Sequence, residues 1–92
     1  MTVRRAEVLV TGRVHGVGYR YSAIVQAGHL GLVGWVRNTR DGHVEMVVEG
    51  PPTGVESFID WCRRGPPAAR VDDVRVAWGE PTDEFTGFDV RY

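Results

Sequence analysis

The sequence predicts an α+β sandwich in which two helices lie on one face of a mostly antiparallel β-sheet. Two helical patterns and five strand patterns support this fold class, and they follow one another as β-α-β-β-α-β(β). The chain has 92 residues, 42% of them hydrophobic. Because single domains commonly run to about 100–150 residues, we expect one domain spanning residues 1–92.

The first strand and the first helix are predicted from two different periodicities. The strand pattern alternates along the chain through Val8, Val10 and Gly12. A helix is expected from about Arg20 to Leu30, ending at Gly31. Its apolar face is formed by Ala23, Ile24, Ala27 and Leu30.

The middle of the chain predicts a β-hairpin. Leu32–Arg37 is a largely apolar run, as expected for a strand that is covered on both faces. The next strand alternates Val44, Met46 and Val48 with Glu45, Val47 and Glu49. Asp41-Gly42 lies between the two strands and is a typical hairpin turn.

A second helix is predicted over residues 53–64. Its apolar stripe is formed by Val55, Phe58, Ile59 and Cys62. Thr53 and Glu56 have the spacing of a capping box, and Gly65-Pro66-Pro67 ends the helix. Two alternating strands follow, marked by Val74, Val76 and Trp78 and by Phe88, Val90 and Tyr92.

These elements together predict a ferredoxin-like α/β sandwich. Right-handed β-α-β connections place both amphipathic helices on the same face of the sheet. This fold carries many unrelated functions, so the function has to be argued from particular residues.

Composition excludes several classes of function. All eleven basic residues are arginine, so Schiff-base chemistry and a P-loop lysine are absent, and twelve acidic residues bring the net charge to −1. One cysteine allows neither an internal disulfide nor a cysteine-built metal site. With no membrane-length apolar run, no signal-peptide pattern and no basic excess, we expect a cytoplasmic protein without membrane or nucleic-acid partners.

One glycine-rich segment could carry chemistry: Gly12-Arg13-Val14-His15-Gly16-Val17-Gly18-Tyr19-Arg20. It joins the first strand to the first helix, where backbone N–H groups and the helix dipole can bind an anion. Arg20 adds a planar group that matches two phosphate oxygens. The alternative is a glycine-rich turn beside a surface arginine. Neither a Walker loop nor a cysteine phosphatase loop fits, because no lysine follows Gly18 and Val14 occupies the thiolate position.

A second segment completes a family pattern. Taken alone, Asn38 is typical of a turn. However, Gly12-x-Val14-x-Gly16-Val17-x-Tyr19-Arg20 and Gly34-Trp35-Val36-Arg37-Asn38-x-x-x-Gly42-x-Val44-x-x-x-x-x-Gly50 resemble the two signatures of the acylphosphatase family. The resemblance covers most of the chain.

The resemblance implies an acylphosphatase, which hydrolyses the carboxyl–phosphate anhydride of acyl phosphates to a carboxylate and inorganic phosphate without metal or cofactor. It assigns phosphate binding to Arg20 and positioning of the attacking water to Asn38. It also implies that the phosphate is cradled within loop 14–20 by the backbone of His15, Gly16, Val17, Gly18, Tyr19 and Arg20. The chemistry suits these residues, because a carboxylate leaving group needs no general acid.

The chain departs from the family pattern at three positions. Glutamine is usual at His15, phenylalanine is frequent at Tyr19 and threonine is common at Ala23. We expect the first two changes to be tolerated because the loop acts through its backbone. The His15 ring is expected to point to solvent, with a phosphohistidine as the less favoured alternative.

The other histidines and the tryptophans are expected to have structural roles. His29 suits the end of the first helix and His43 an exposed hairpin position, and no metal site is expected from the three histidines. Trp35, Trp61 and Trp78 are expected in the core or half-buried over it, rather than as a platform for stacking bases.

Two other functions remain open. An RNA- or ligand-binding module is disfavoured because the expected central strands lack aromatic and basic residues. A transferase module of a larger carbamoyl-phosphate-using protein is the second alternative, although the length and the initial methionine favour a stand-alone enzyme. We therefore expect a monomer whose partners are an acyl phosphate and inorganic phosphate.

Overall fold

Five strands and two helices form the fold in the computed structural model, which describes residues 2–92. The elements are β1 (Arg4–Arg13), α1 (Tyr19–His29), β2 (Val33–Asn38), β3 (Val44–Gly50), α2 (Pro52–Arg64), β4 (Arg70–Gly79) and β5 (Phe88–Val90). Both helices pack on the same mostly antiparallel sheet, which confirms the predicted ferredoxin-like class. Within residues 2–92, no helix is both long and apolar enough to cross a membrane.

The order of the strands determines where their ends meet. The sheet runs β4-β1-β3-β2-β5, and β3 is antiparallel to both β1 and β2. The strands β1 and β2 therefore point the same way, and β5 is parallel to β2. Because parallel strands end at the same edge of a sheet, the carboxyl ends of β1, β2 and β5 converge.

Only one face of the sheet is covered by the helices. Val8 and Val10 on β1 and Met46 and Val48 on β3 are buried in the core, as their alternation predicts. The prediction that the strand at 32–37 is covered on both faces is wrong. Its residues Trp35 and Arg37 point away from the helices, and Arg37 is exposed, because both helices occupy the opposite face.

The helix ends show how local sequence sets the boundaries. The predicted capping box of Thr53 and Glu56 is wrong, because α2 begins at Pro52 and its N-cap is Pro51, without a side-chain cap. Proline is favoured at the first helical position because the N–H that it lacks would have no helical partner there.

Helix α1 begins and ends within one residue of the predicted positions. Gly31 has φ 68°, and the N–H of Leu32 donates to the carbonyl of Ala27 at 2.9 Å, which is a Schellman ending. The predicted stop at Gly31 is therefore confirmed. At the other end of the chain, β5 stops at Val90, so the predicted strand does not reach Tyr92, which is fully exposed.

Gly34 shows why the second signature contains a glycine inside a strand. Its φ is 141°, and a Cβ atom at this position would overlap the backbone carbonyl of Val47 on β3. Since β2 ends in Asn38, the close approach of β2 to β3 at Gly34 helps to fix where that asparagine lies.

Candidate active site

An open cleft of about 250 Å³ lies where the carboxyl ends of β1, β2 and β5 meet the start of α1. Arg20 in the first turn of α1 and Asn38 at the end of β2 both line it. The full lining is Val14, Gly16, Gly18, Tyr19, Arg20, Tyr21, Ile24, Asn38, Val90 and Tyr92. The topology thus brings the two predicted catalytic residues to one cleft.

The glycine-rich loop leaves backbone donors free at the start of α1. Gly16 and Gly18 have φ values of 69° and 80°, in the left-handed region that favours glycine. Gly18 is the N-cap and provides no side chain, and the first turn contains no acidic residue. The first helical hydrogen bond runs from Ser22 N–H to the Gly18 carbonyl at 3.0 Å. The preceding N–H groups are therefore available to an anion, which the helix dipole also favours.

Arg20 is half-buried beside this loop, and its guanidinium carbon lies 5.8 Å from the centre of the Tyr92 ring. It forms no ion pair with any carboxylate of residues 2–92, whereas Arg5 and Arg37 each pair with a glutamate. Its charge is therefore not neutralised by the protein and can act on an anion in the cleft.

Asn38 carries a buried side-chain oxygen that accepts no hydrogen bond. Its Oδ1 has no donor among residues 2–92, although buried acceptors are nearly always satisfied in folded proteins. Asn38 pairs with Val44 at the point where β2 and β3 enter the hairpin, so its backbone is held by the sheet. Asn38 therefore has an unused hydrogen-bond acceptor next to the cleft that it lines.

His15 does not point to solvent, so that expectation is wrong. The ring is half-buried, and its Nε2 lies 2.6 Å from the backbone carbonyl of His43. Because a carbonyl only accepts, Nε2 carries the hydrogen. His15 and Val17 are absent from the lining of the cleft, and Val17 packs against the core. This arrangement does not favour His15 as a nucleophile.

The predictions for the other two histidines and for the three tryptophans are confirmed at some positions and wrong at others. His29 lies exposed at the end of α1, as expected. His43 is half-buried and not exposed, and its Nδ1 is buried without a partner among the described residues. Trp35 and Trp61 are half-buried, but Trp78 is 48% exposed beneath the guanidinium of Arg4 at 3.7 Å.

The side chain of Tyr19 has a structural role that sequence reasoning missed. It is 1% exposed, and its hydroxyl donates to the carbonyl of Cys62 at 2.9 Å, near the end of α2 where helical acceptors lack partners. Burial raises the pKa of the Tyr19 hydroxyl, and burial raises that of the Cys62 thiol to about 12. Neither group ionises near neutral pH, so neither is suited to act as a nucleophile.

No three side chains of His, Cys, Asp or Glu come together in residues 2–92 in a way that could hold a metal ion. Cofactor-free hydrolysis stays a prediction that an experiment has to test.

The chain is similar to known acylphosphatases in sequence and in structure. The family model described as Acylphosphatase matches residues 6–90. The acylphosphatase of Nostoc sp. is 55% identical over 87 residues, covering 95% of this chain and 85% of that protein. The crystal structure of the Bacillus subtilis acylphosphatase superimposes with a TM-score of 0.93 at 34% identity, covering 99% of this chain and all of that one.

A larger protein also contains a similar unit. The crystal structure of HypF from T. kodakarensis matches with a TM-score of 0.84 at 30% identity. The match covers 97% of this chain but 12% of that one.

Proposed function

The chain belongs to the acylphosphatase family, and from that premise we propose that Arg20 binds the phosphoryl group of an acyl phosphate while Asn38 positions the attacking water. As a member of this family, the chain hydrolyses the carboxyl–phosphate anhydride. One observation carries the proposed division of roles: Arg20, which has no carboxylate partner, and Asn38, whose amide oxygen is unpaired, line the same cleft from different elements.

Phosphate binding is assigned to the loop and Arg20. The N–H groups from His15 to Arg20 are candidates to hold the phosphoryl oxygens, and the guanidinium supplies a positive charge with two parallel donors. A loose phosphoryl-transfer transition state keeps its charge on the equatorial oxygens, so fixed donors around them stabilise it.

Water positioning is assigned to Asn38. A water that donates one hydrogen to Oδ1 would direct a lone pair toward phosphorus. The amide is neutral, so it adds no repulsion against the phosphoryl dianion. As the water oxygen bonds to phosphorus, the bond between phosphorus and the acyl oxygen breaks. The carboxylate leaves with the electron pair of that bond. The two hydrogens of the water remain on the phosphate product.

The leaving group indicates whether the substrate is an anhydride or a phosphomonoester. The conjugate acid of a carboxylate has a pKa of about 4, so a carboxylate leaves without protonation. An alkoxide needs a general acid, and the cleft lining contains no Asp, Glu, His or Lys. The lining therefore supports acyl phosphates as the substrate class.

The assay compares benzoyl phosphate with glycerol 1-phosphate, a phosphomonoester whose leaving group is an alkoxide, using the wild type, Arg20→Lys and Arg20→Gln. We expect the wild type to hydrolyse the anhydride and not the phosphomonoester. Arg20→Gln should lose both turnover and inhibition by inorganic phosphate, and Arg20→Lys should be severely impaired because an ammonium cannot reproduce the planar pair of donors. Arg63→Gln removes the same charge from the exposed end of α2 and serves as the control. Retention of phosphate inhibition in Arg20→Gln would contradict the assignment.

We also propose that residues 1–92 act as one acylphosphatase domain and as a monomer. The fold of a single chain brings Arg20 and Asn38 to one cleft, so both proposed roles are filled without a second copy. Light scattering after size exclusion should give the monomer mass of 10.2 kDa, and a stable dimer would contradict this proposal. Cytoplasmic location and the lack of membrane or nucleic-acid partners stay predictions.

A further inference from the structure

The imidazole of His15 connects the glycine-rich loop to the β2–β3 hairpin. Its Nε2–H donates to the His43 carbonyl at 2.6 Å across 28 positions of sequence. The same carbonyl accepts the N–H of Thr39 at 2.9 Å. One backbone oxygen therefore accepts a hydrogen bond from the glycine-rich loop and another from the residue that follows Asn38 at the end of β2.

That oxygen lies directly beside the proposed water-binding residue. Thr39 follows Asn38 in the chain, and His43 precedes Val44, the partner of Asn38 in the sheet. The bond between Thr39 and His43 is thus the first hairpin bond beyond the pair that contains Asn38. A shift of the His43 carbonyl relative to the loop would change the distance between the phosphate cradle and the Asn38 amide.

Among the described residues, the bond from His15 to the His43 carbonyl is the one side-chain hydrogen bond between loop 14–18 and the hairpin. Gly16 and Gly18 adopt left-handed conformations, are exposed and have no side chain that could contact the hairpin. Val14 is buried in the core and Val17 packs against it, so these two side chains hold the loop to the core, whereas His15 links it to the hairpin. The imidazole is therefore well placed to set the separation of the two halves of the site.

We propose that His15 is a positioning residue that holds the phosphate-binding loop at the distance from Asn38 that in-line attack by water requires. This inference rests on the proposed roles of Arg20 and Asn38. The His15 side chain acts through the His43 carbonyl and touches neither the substrate nor the water.

Two substitutions distinguish the effect of losing this hydrogen bond from the effect of losing the imidazole ring. In glutamine the amide nitrogen is as many bonds from Cα as Nε2 is in histidine, so His15→Gln can donate to the same carbonyl. Asparagine is polar but one bond shorter, so His15→Asn cannot reach it. His29→Asn changes an exposed histidine far from the loop and serves as the control.

The measurements are kcat on benzoyl phosphate and the inhibition constant of inorganic phosphate. A displacement of about 1 Å can cost as much as 100-fold in rate, so for His15→Asn we expect kcat to fall about tenfold. Its phosphate inhibition constant should stay within about threefold of the wild type, because the cradle itself is intact. His15→Gln should recover kcat to within about threefold of the wild type. Equal kcat values for the Asn and Gln variants would overturn the proposal.

A double substitution tests whether His15 acts through Asn38. In an Asn38→Ala background, His15→Asn should reduce kcat by less than about twofold, since the group that it positions is already absent. A full tenfold loss in that background would show an independent role and overturn the inference. Unchanged kcat in Asn38→Ala alone would instead refute the proposed function. If His15→Asn fails to fold while His15→Gln folds, the contact is structural and the positioning role is wrong.

Discussion

Glu49 on β3 provides a quantitative test of how the open face of the sheet is held together. Its side chain is 1% exposed, and Oε2 accepts a hydrogen bond from Nη1 of Arg5 at 2.8 Å. The N–H groups of Thr82 and Asp83 donate to its two oxygens at 3.1–3.3 Å. This carboxylate therefore binds β1 and the segment before β5 to the same strand.

Replacing Glu49 with glutamine leaves these donors without a charged acceptor. Removing one partner of a buried ion pair costs roughly 3–5 kcal/mol of unfolding free energy. Glutamine keeps one oxygen that can accept a hydrogen bond, and Arg5 is partly exposed, so we expect a cost near the lower end of this range. We expect Glu49→Gln to lose about 3 kcal/mol of unfolding free energy. For a chain of this length, that corresponds to a fall in Tm of roughly 12–24 °C.

The same contacts set the direction of the pH dependence. Desolvation acts to raise the pKa of Glu49, but the hydrogen bonds from Arg5, Thr82 and Asp83 outweigh it, so the pKa lies below its usual value of 4.5. A carboxyl whose pKa is lower in the folded state stabilises the fold above its unfolded pKa. This stabilisation is lost as the pH falls from about 4.5 through the folded value.

Urea denaturation of the wild type and of Glu49→Gln at several pH values from 3 to 7 measures both effects. The difference in unfolding free energy should be largest above pH 5 and should shrink as the pH falls below 4.5. Glu45→Gln is the matched control, because Glu45 on the same strand pairs with Arg37 at 2.6 Å while both side chains are exposed. Exposed pairs contribute about 0–1 kcal/mol. Equal losses in the two variants, or a pH-independent loss in Glu49→Gln, would refute the argument from burial.

Two further predictions follow from the fold and the site. Gly34→Ala should cost more than about 3 kcal/mol, because its Cβ would overlap the Val47 carbonyl at a φ of 141°, and near-wild-type stability in urea denaturation would contradict this. Hydrolysis of benzoyl phosphate should persist in excess EDTA, since no group of three ligating side chains occurs in residues 2–92, and a loss that a divalent ion restores would argue for a metal-dependent reaction.

Much of the fold could be predicted because it depends on periodicity and on turn residues. The alternation of Val44, Met46 and Val48 gave the correct core face of β3, and Gly31 gave the end of α1. The common direction of β1 and β2 then brings Arg20 and Asn38 to the same edge of the sheet without further information.

The features that sequence reasoning missed are side-chain contacts between distant segments. Glu45 and Glu49 occupy equivalent places in the strand pattern, yet Glu49 alone is buried, because Thr82, 33 positions later, crosses over it. The hydrogen bond from His15 to the His43 carbonyl likewise depends on how the loop packs against the hairpin. Such contacts depend on the folded path of the chain, and no local pattern signals them.

The most direct test of the proposed mechanism is the kinetic behaviour of Asn38→Ala on benzoyl phosphate, measured together with inhibition by inorganic phosphate. If Asn38 holds the attacking water and Arg20 holds the phosphate, kcat should fall at least about 100-fold, equivalent to about 2.7 kcal/mol of barrier. The phosphate inhibition constant should stay within about threefold of the wild type, because this substitution leaves the loop and Arg20 in place. Circular dichroism should show that the variant is folded, since Asn38 lies at the end of β2 and outside the core. Unchanged kcat in the folded variant would contradict the account.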